Sequence, residues 1–385
     1  MRTIDERVES IIPEIRALSH EIHENPEPGN REYRAVSLLT GELERHGFET
    51  ERGVCGLETA FMACCKGKKP GRTVAFLAEY DALPGLGHGC GHNMIGALAA
   101  ACAIALKDAV DEYGGEVRVI GAPAEETTGG KVVLAQAGIY DGLDAAMMAH
   151  PSGSHAASGS MNAIDSRRFE FFGRSAHAAG APEDGINALN AVIETFNAIN
   201  ALRQHILPTA RVHGVIKDGG KAANIVPDYA MAEFYIRAAD SVYLKELSEK
   251  VQNCARAAAL ATGCGLNITN FEGCYDDLLT NETLSRRAVR YTQEYGAAQK
   301  LLPRVSAASS DIGNVSHRCP TIHQWFDVTG DPSVDVHTPE LCACADSDYG
   351  YEQMFIVVRA FVAAAEDLLR DGDFAAAVRR EFEGK

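Results

Sequence analysis

Two hydrophobic periods alternate along this chain, and their order predicts its fold class. TVAFLAEYDA (73–82) is an apolar run of strand length, closed by Pro84 and two glycines. EVRVIGAPA (116–124) and LDAAMMAH (143–150) have the same form. Between them lie NMIGALAAACAIALKDAVDE (93–112), whose small residues suit a helix packed closely on a sheet, and the shorter helical stretch KVVLAQAGI (131–139). Strands alternating with helices predict a mostly parallel sheet flanked by helices, an α/β fold. Upstream, an amphipathic helix runs to about His23, where ENPEPGN stops it, and REYRAVSLLTGELERH (31–46) resumes the helical period until Gly47. A Gly- and Lys-rich turn then leads into the first strand.

The pattern changes near residue 163. SRRFEFFG alternates as a strand, 184–202 is helical, RVHGVIKDGG and YAMAEFYIRA are strands, VYLKELSEKVQNCARAAALATG is a helix and LNITNFEG a strand. This β-α-β-β-α-β order predicts a self-contained two-layer α+β domain over 163–273. It interrupts a domain made from 1–162 and 274–385, which ends in a long amphipathic helix at 351–370.

Composition narrows the function. The 385 residues suit two domains, and 46% hydrophobic with 23% charged residues is a folded globular balance. A formal charge of −17 repels phosphate backbones and anionic lipid, so neither nucleic acid nor a membrane surface is an expected partner. No run approaches the roughly 18 apolar residues that span a bilayer. MRTIDERVESIIPEIRAL reads as a helix rather than a secretory leader. Eleven irregularly spaced cysteines, with Cys64 and Cys65 adjacent, suit a reducing cytoplasm better than a disulfide framework.

The polar residues at the strand ends carry the chemistry. Asp81 follows the first strand, Glu125 and Glu126 the second, and His150 ends the third; ligand crevices of open α/β sheets lie at these carboxyl ends. GHGCGHN places Cys90 and His92 on a glycine-rich loop opening the Ala-rich helix, and His337 lies in VDVHTPE. Thiolate, imidazole and carboxylate together are ligands for Zn²⁺, or less selectively for Mn²⁺, Co²⁺ or Fe²⁺. A Cys-x-His pair alone is as compatible with a buried cysteine and a surface histidine. Two adjacent carboxylates repel if buried. They make sense where one ligates a cation and the other handles protons, while a solvated turn is the plain alternative.

AEYDALPGLGHGCGHNMIG, APAEETTGGK, AHPSG, GRSAHAAGAPEDGINALNA, GGKAANIVPD, SSDIGNVSHRCP and VHTPE together resemble the M20 metallopeptidases. Within them they resemble the amidohydrolase branch of aminoacylase-1-like dipeptidases, p-aminobenzoyl-glutamate hydrolases and auxin-conjugate hydrolases. The resemblance covers nearly the whole chain. It implies a catalytic α/β domain with an inserted ferredoxin-like lid and dimerisation domain, hence a homodimer. It implies two divalent metal ions per subunit, Zn²⁺ or Mn²⁺, held by Cys90, His92, Glu126, His150 and His337. Glu125 falls on the general base, Asp81 on the carboxylate that orients a ligand, His177 on the donor to the oxyanion, and Asn224 and Arg237 on the holders of the substrate carboxylate. Many members read C-G-H-D-x-H where this chain has Asn93 and Met94; the aminoacylase-1-like and aminobenzoyl-glutamate groups share the Asn.

The implied reaction is hydrolysis of an N-acyl or N-aroyl amino acid, or of an unusual dipeptide, by metal-activated water. Two alternatives stand beside it: a deaminase releasing ammonia from an aromatic amino-acid-like substrate, and a non-catalytic binding subunit. Other residues read more plainly. His88 and His155 are expected as solvated loop histidines, and His213 either faces the cleft or packs. Ser309, Ser310 and Asp311 read as a cleft-lining turn, Trp325 as a core strand residue, and Cys342 and Cys344 as thiols without a metal.

Overall fold

A computed structural model describes residues 2–297 and 300–384, and these fall into two compact units. One runs up to Ser160 and includes Leu278–Ser306 and the chain from Ser310; the other is Met161–Asp277 with Ala307–Ser309. The strands are β1 (Glu49–Arg52), β2 (Phe61–Lys66), β3 (Thr73–Ala78), β4 (Glu116–Gly121), β5 (Ala145–Ser152), β6 (Ala157–Met161), β7 (Ala163–Phe172), β8 (Arg211–Asp218), β9 (Tyr229–Ala238), β10 (Gly265–Thr269), β11 (Pro303–Ser306) and β12 (Thr321–Asp327).

In the larger unit six strands are ordered β1-β2-β4-β3-β5-β12. The β4-β3-β5-β12 block is parallel, whereas β1 and β2 join antiparallel at one side. Strands β3, β5 and β12 are buried along almost their whole length, which is why β3 and β5 read as apolar runs and not as alternating ones. Helix His92–Tyr113 packs on this sheet, and 17 of its residues are buried, so its small side chains bring backbone close to backbone. At Gly96 a β-carbon would lie 3.0 Å from the Glu79 carbonyl oxygen, so the missing side chain sets how near the helix comes to the end of β3. Each buried Leu of this helix contributes about 1.5–3 kcal/mol by leaving water.

Three expectations change. The N-terminal helix is two, Ile4–Glu9 and Ile12–Glu24, because Pro13 has no N–H for a continuous ladder and is accepted only in a first turn. The stretch before β3 is not only a turn: β2 (FMACCK) pairs with β4 and carries Cys64 and Cys65. Finally, His92–Tyr113 is long and apolar enough to cross a membrane, contrary to the reading of the sequence; 89% of its apolar window is buried in the unit instead.

The smaller unit is an antiparallel sheet ordered β10-β7-β9-β8, carrying helices Ala188–Leu202 and Ser241–Thr262. Strand β9 alternates strictly, burying Ala230, Ala232, Phe234, Ile236 and Ala238 under the helices. Asn187 and Asp240 cap the two helices by accepting the N–H of Asn190 and Tyr243. Among the described residues, strand β8 pairs on one side only, and it exposes Val215 and Ile216.

Candidate metal centre

The carboxyl ends of β3, β4 and β5 bring one set of side chains together. Glu79 and Asp81 follow β3, Glu125 and Glu126 follow β4, and His150 lies within β5 opposite Trp325 of β12. Gly91, in the left-handed region at φ 71°, turns the chain between Cys90 and His92 so that both reach the same point. A β-carbon there would lie 2.7 Å from Pro151. His337 also has positive φ, 66°, and its N–H donates to the Gly89 carbonyl at 2.9 Å, tying its segment to the Cys90 loop.

Glu126 Oε1 lies 2.7 Å from Cys90 Sγ, 3.6 Å from His337 Nε2 and 3.8 Å from His92 Nε2. Asp81 Oδ1 accepts from His92 Nδ1 at 3.0 Å, and Asp81 Oδ2 accepts the Glu126 N–H at 3.1 Å, so one buried carboxylate orients both neighbours. That bond leaves His92 Nε2 as the nitrogen turned toward the other donors. His150 Nδ1 donates to the Pro151 carbonyl at 2.7 Å, which likewise frees its Nε2. One atom each from Cys90, His92 and Glu126, and one each from Glu79, His92 and His150, lie within 4.8 Å of one another. Cys90, His92, Glu126, His150, His337, Asp81 and Glu125 all belong to the larger unit. His177, Asn224 and Arg237 belong to the inserted one.

Sequence reading missed the roles of four residues here. Lys131, wholly buried at the start of helix Gly130–Gln136, pairs with Glu79 Oε1 at 2.5 Å and Asp311 Oδ1 at 2.6 Å, and its N–H donates to Asp311 Oδ2 at 2.9 Å. Asp311, expected in a cleft-lining turn, is instead a buried ion-pair partner of Lys131. A lysine heading the apolar run KVVLAQAG was the signal available for this triad. The fourth is His323 on β12, its ring 5.8 Å from that of His150; among the described residues neither of its nitrogens has a hydrogen-bond partner. His88 and His155 also depart from expectation. Both are buried, against the Ile22 carbonyl at 3.2 Å and Gln353 at 2.9 Å, because the loops bearing them are packed rather than solvated.

The electrostatics follow from crowding. Burial raises the Glu79 carboxyl, but Lys131, then His92 and His150, more than offset it and hold its pKa at about 2. Burial lowers His92, yet Asp81 and Glu79 outweigh it and keep the imidazole well above its ordinary value. Glu125 is pushed well up by burial and by the carboxylates of Glu79, Asp311 and Glu126. Burial, then Glu126, drives the Cys90 thiol upward, and burial with His92 pushes His150 down to about 4. The donor set fits divalent cations. Carboxylates outnumber the buried ammonium, and the Cys90 thiol donates to the Glu126 carboxylate, two groups that would hold a cation once the thiol is ionised. Among the described residues, Glu79 Oε2 and His92 Nε2 are buried without a hydrogen bond. A bound cation would bring the raised His92, Glu125 and Cys90 back down, deepen the depression of Glu79 and His150, and ionise the thiol.

In the inserted unit, His177 Nδ1 accepts the N–H of Gly180 at 3.0 Å and of Ala179 at 3.2 Å, so the proton of the neutral ring resides on Nε2. The Asn224 carbonyl accepts the Ala178 N–H at 3.0 Å, fixing Asn224 beside the His177 turn. Arg237, half-buried at the end of β9, donates to Ser309 Oγ at 3.0 Å. Asn93 is buried at the head of helix His92–Tyr113 and donates to Ser19 Oγ at 3.0 Å and the Ala345 carbonyl at 2.9 Å, where a carboxylate could not serve. All eleven cysteines are free thiols.

Residues 162–263 match the peptidase dimerisation domain of the M20 family. Xaa-Arg dipeptidase of Mus musculus is 35% identical over 405 aligned residues, which cover all of this chain and 92% of that protein. A p-aminobenzoyl-glutamate hydrolase chain of Escherichia coli K12 is 33% identical, covering 77% of this chain and 66% of its own length. Among solved structures, a Bacillus subtilis protein described as a dinuclear metal-binding peptidase of the M20 family superposes with a TM-score of 0.65 over 91% of this chain and 99% of that one, at 22% identity. With such identity along its whole length, this chain belongs to the M20 peptidase family of metal-dependent hydrolases, which cut peptide and amide C–N bonds.

Proposed function

We propose that this protein is a two-metal amidohydrolase that releases an amino acid from a dipeptide or an N-acyl or N-aroyl amino acid. The observation that carries the reading is the meeting of Cys90, His92 and His337 around Glu126, with His150 beside His92, Asp81 bonded to both His92 and Glu126, and Glu125 adjoining. Zn²⁺ or Mn²⁺ ions bound there would lower the pKa of a water molecule and polarise the amide carbonyl. Glu125 takes a proton from the attacking water and delivers it to the leaving nitrogen. Asp81 keeps the His92 ring turned so that Nε2 faces the centre.

His177 Nε2–H donates to the oxygen that becomes negative as the amide is attacked. The supporting observation is its tautomer, fixed by the Gly180 and Ala179 N–H groups. Arg237 and Asn224 hold the substrate carboxylate, for which a guanidinium fork is the matching shape. A homodimer formed through the open β8 edge would give His177 a neighbouring active site to enter. Eleven free thiols suit work in a reducing cytoplasm. The test is a panel of Xaa-Arg and other dipeptides, N-acyl amino acids and p-aminobenzoyl-glutamate, offered to Zn²⁺- or Mn²⁺-reconstituted protein. Release of an amino acid supports the proposal; release of ammonia alone, or no turnover with metal bound, overturns it.

A further inference from the structure

The Glu79–Lys131–Asp311 triad is isolated from solvent, yet only part of it is accounted for by pairing. Lys131 takes one oxygen from each carboxylate, Glu79 Oε1 at 2.5 Å and Asp311 Oδ1 at 2.6 Å, and the second Asp311 oxygen accepts the Lys131 N–H. Glu79 Oε2 remains. Among the described residues it is buried without a hydrogen bond and lies 3.4 Å from His92 Nε2, which is also buried without one. Two buried polar atoms left without a hydrogen bond at that distance cost free energy, and a cation held by both would remove that cost. His150 supplies a third atom to the same point, within 4.8 Å of the other two. Its Nδ1 is engaged with the Pro151 carbonyl, so its lone pair is on Nε2.

We propose that Glu79 is a ligand of the ion held by His92 and His150, with Lys131 as the positioning residue that fixes it. This rests on the two-metal reading above and adds a carboxylate to the ligand set expected from the sequence. The division of labour is visible in the two oxygens. Oε1 is anchored to an ammonium locked by Asp311, which fixes the carboxylate's rotation, and Oε2 is thereby aimed at the imidazole nitrogens. Gly96 lets helix His92–Tyr113 approach the Glu79 backbone, so the helix bearing His92 and the strand end bearing Glu79 are held at one spacing. Glu79, His92 and His150 then form one ligand group, and Cys90, Glu126 and His337 the other, with His92 Nε2 between them at 3.4 Å from Glu79 and 3.8 Å from Glu126.

Cobalt titration of the full-length chain separates the two ions. A thiolate-to-Co²⁺ charge-transfer band reports the ion bound to Cys90, and the visible d–d bands report both. Wild-type protein is expected to take up two Co²⁺ per chain. Glu79→Gln should keep the charge-transfer band and its midpoint, but bind the other ion at least about 10–100-fold more weakly, the loss that removal of even an outer partner causes. Glu79→Asp, read in parallel, keeps the negative charge for Lys131 but withdraws the oxygen by one methylene. It should also weaken the second ion and shift its d–d bands, whereas a mere counter-ion of Lys131 would leave both unchanged. A wild-type midpoint and spectrum for the second ion, in whichever variant folds by circular dichroism, overturns the assignment of Glu79. Failure of wild-type protein to bind two ions overturns it together with the two-metal reading, so the two failures are distinct.

Discussion

Replacing Lys131 by methionine removes the buried cation between Glu79 and Asp311 while nearly preserving side-chain volume. A carboxyl held at about 2 in place of the ordinary 4.5 carries roughly 3 kcal/mol of favourable interaction, and Lys131 is the largest favourable contributor to it. Breaking a buried pair by removing one partner costs about 3–5 kcal/mol in general, so both routes give a similar magnitude. The sign with pH follows from the depressed Glu79 pKa. Its contribution is complete above pH 4.5 and is lost as the pH falls through about 2. In Lys131→Met the contribution is absent at every pH, so the difference from wild type is largest at neutral pH and narrows toward about pH 3. The assay is urea unfolding of chelator-treated protein between about pH 7 and pH 3, followed by circular dichroism. A loss below about 1 kcal/mol at neutral pH, or a difference that does not change with pH, would refute the pairing argument.

Glu125→Gln is expected to retain its metal content while kcat falls by about 10²–10⁴, the scale of a lost general base; metal analysis beside steady-state kinetics checks both halves. Cys90→Ser should lower metal retention after dialysis, because a hydroxyl stays protonated where a metal-bound thiol ionises. Full stoichiometry in the folded variant would remove Cys90 from the ligand set. Asn93→Asp places a carboxylate against the Ala345 carbonyl and should cost at least about 1–3 kcal/mol in unfolding free energy; unchanged stability would contradict the hydrogen-bond assignment. Mixing inactive His177→Ala with inactive Glu125→Gln should restore up to half of wild-type activity per heterodimer if His177 serves the neighbouring subunit. No recovery after confirmed subunit exchange contradicts that role.

The strand ends were legible because buried parallel strands are apolar runs, so any charged residue closing one, as Asp81, Glu125 and Glu126 do, is conspicuous. Cys90 and His92 stood out through the glycines that bend the chain around them. Glu79 escaped notice because it lies inside the same run, two residues before Asp81, and its partner Lys131 comes from another strand-helix connection. Pairing across 52 residues leaves no local pattern. His88 and His155 were misread for a related reason: glycine-rich loop sequence suggests solvent, but here the loops are packed against other elements. The β2 strand was hidden by its short, cysteine-containing sequence and by the turn-forming residues beyond it.

Anomalous X-ray scattering from crystals of the Zn²⁺- or Mn²⁺-loaded protein tests the central claim most directly. The account predicts two peaks per chain among the strand ends, one touching Cys90, Glu126 and His337 and the other His92 and His150, with Glu125 beside both and not bound as a primary ligand. A single peak, or metal bound only away from these side chains in a catalytically active preparation, would contradict it.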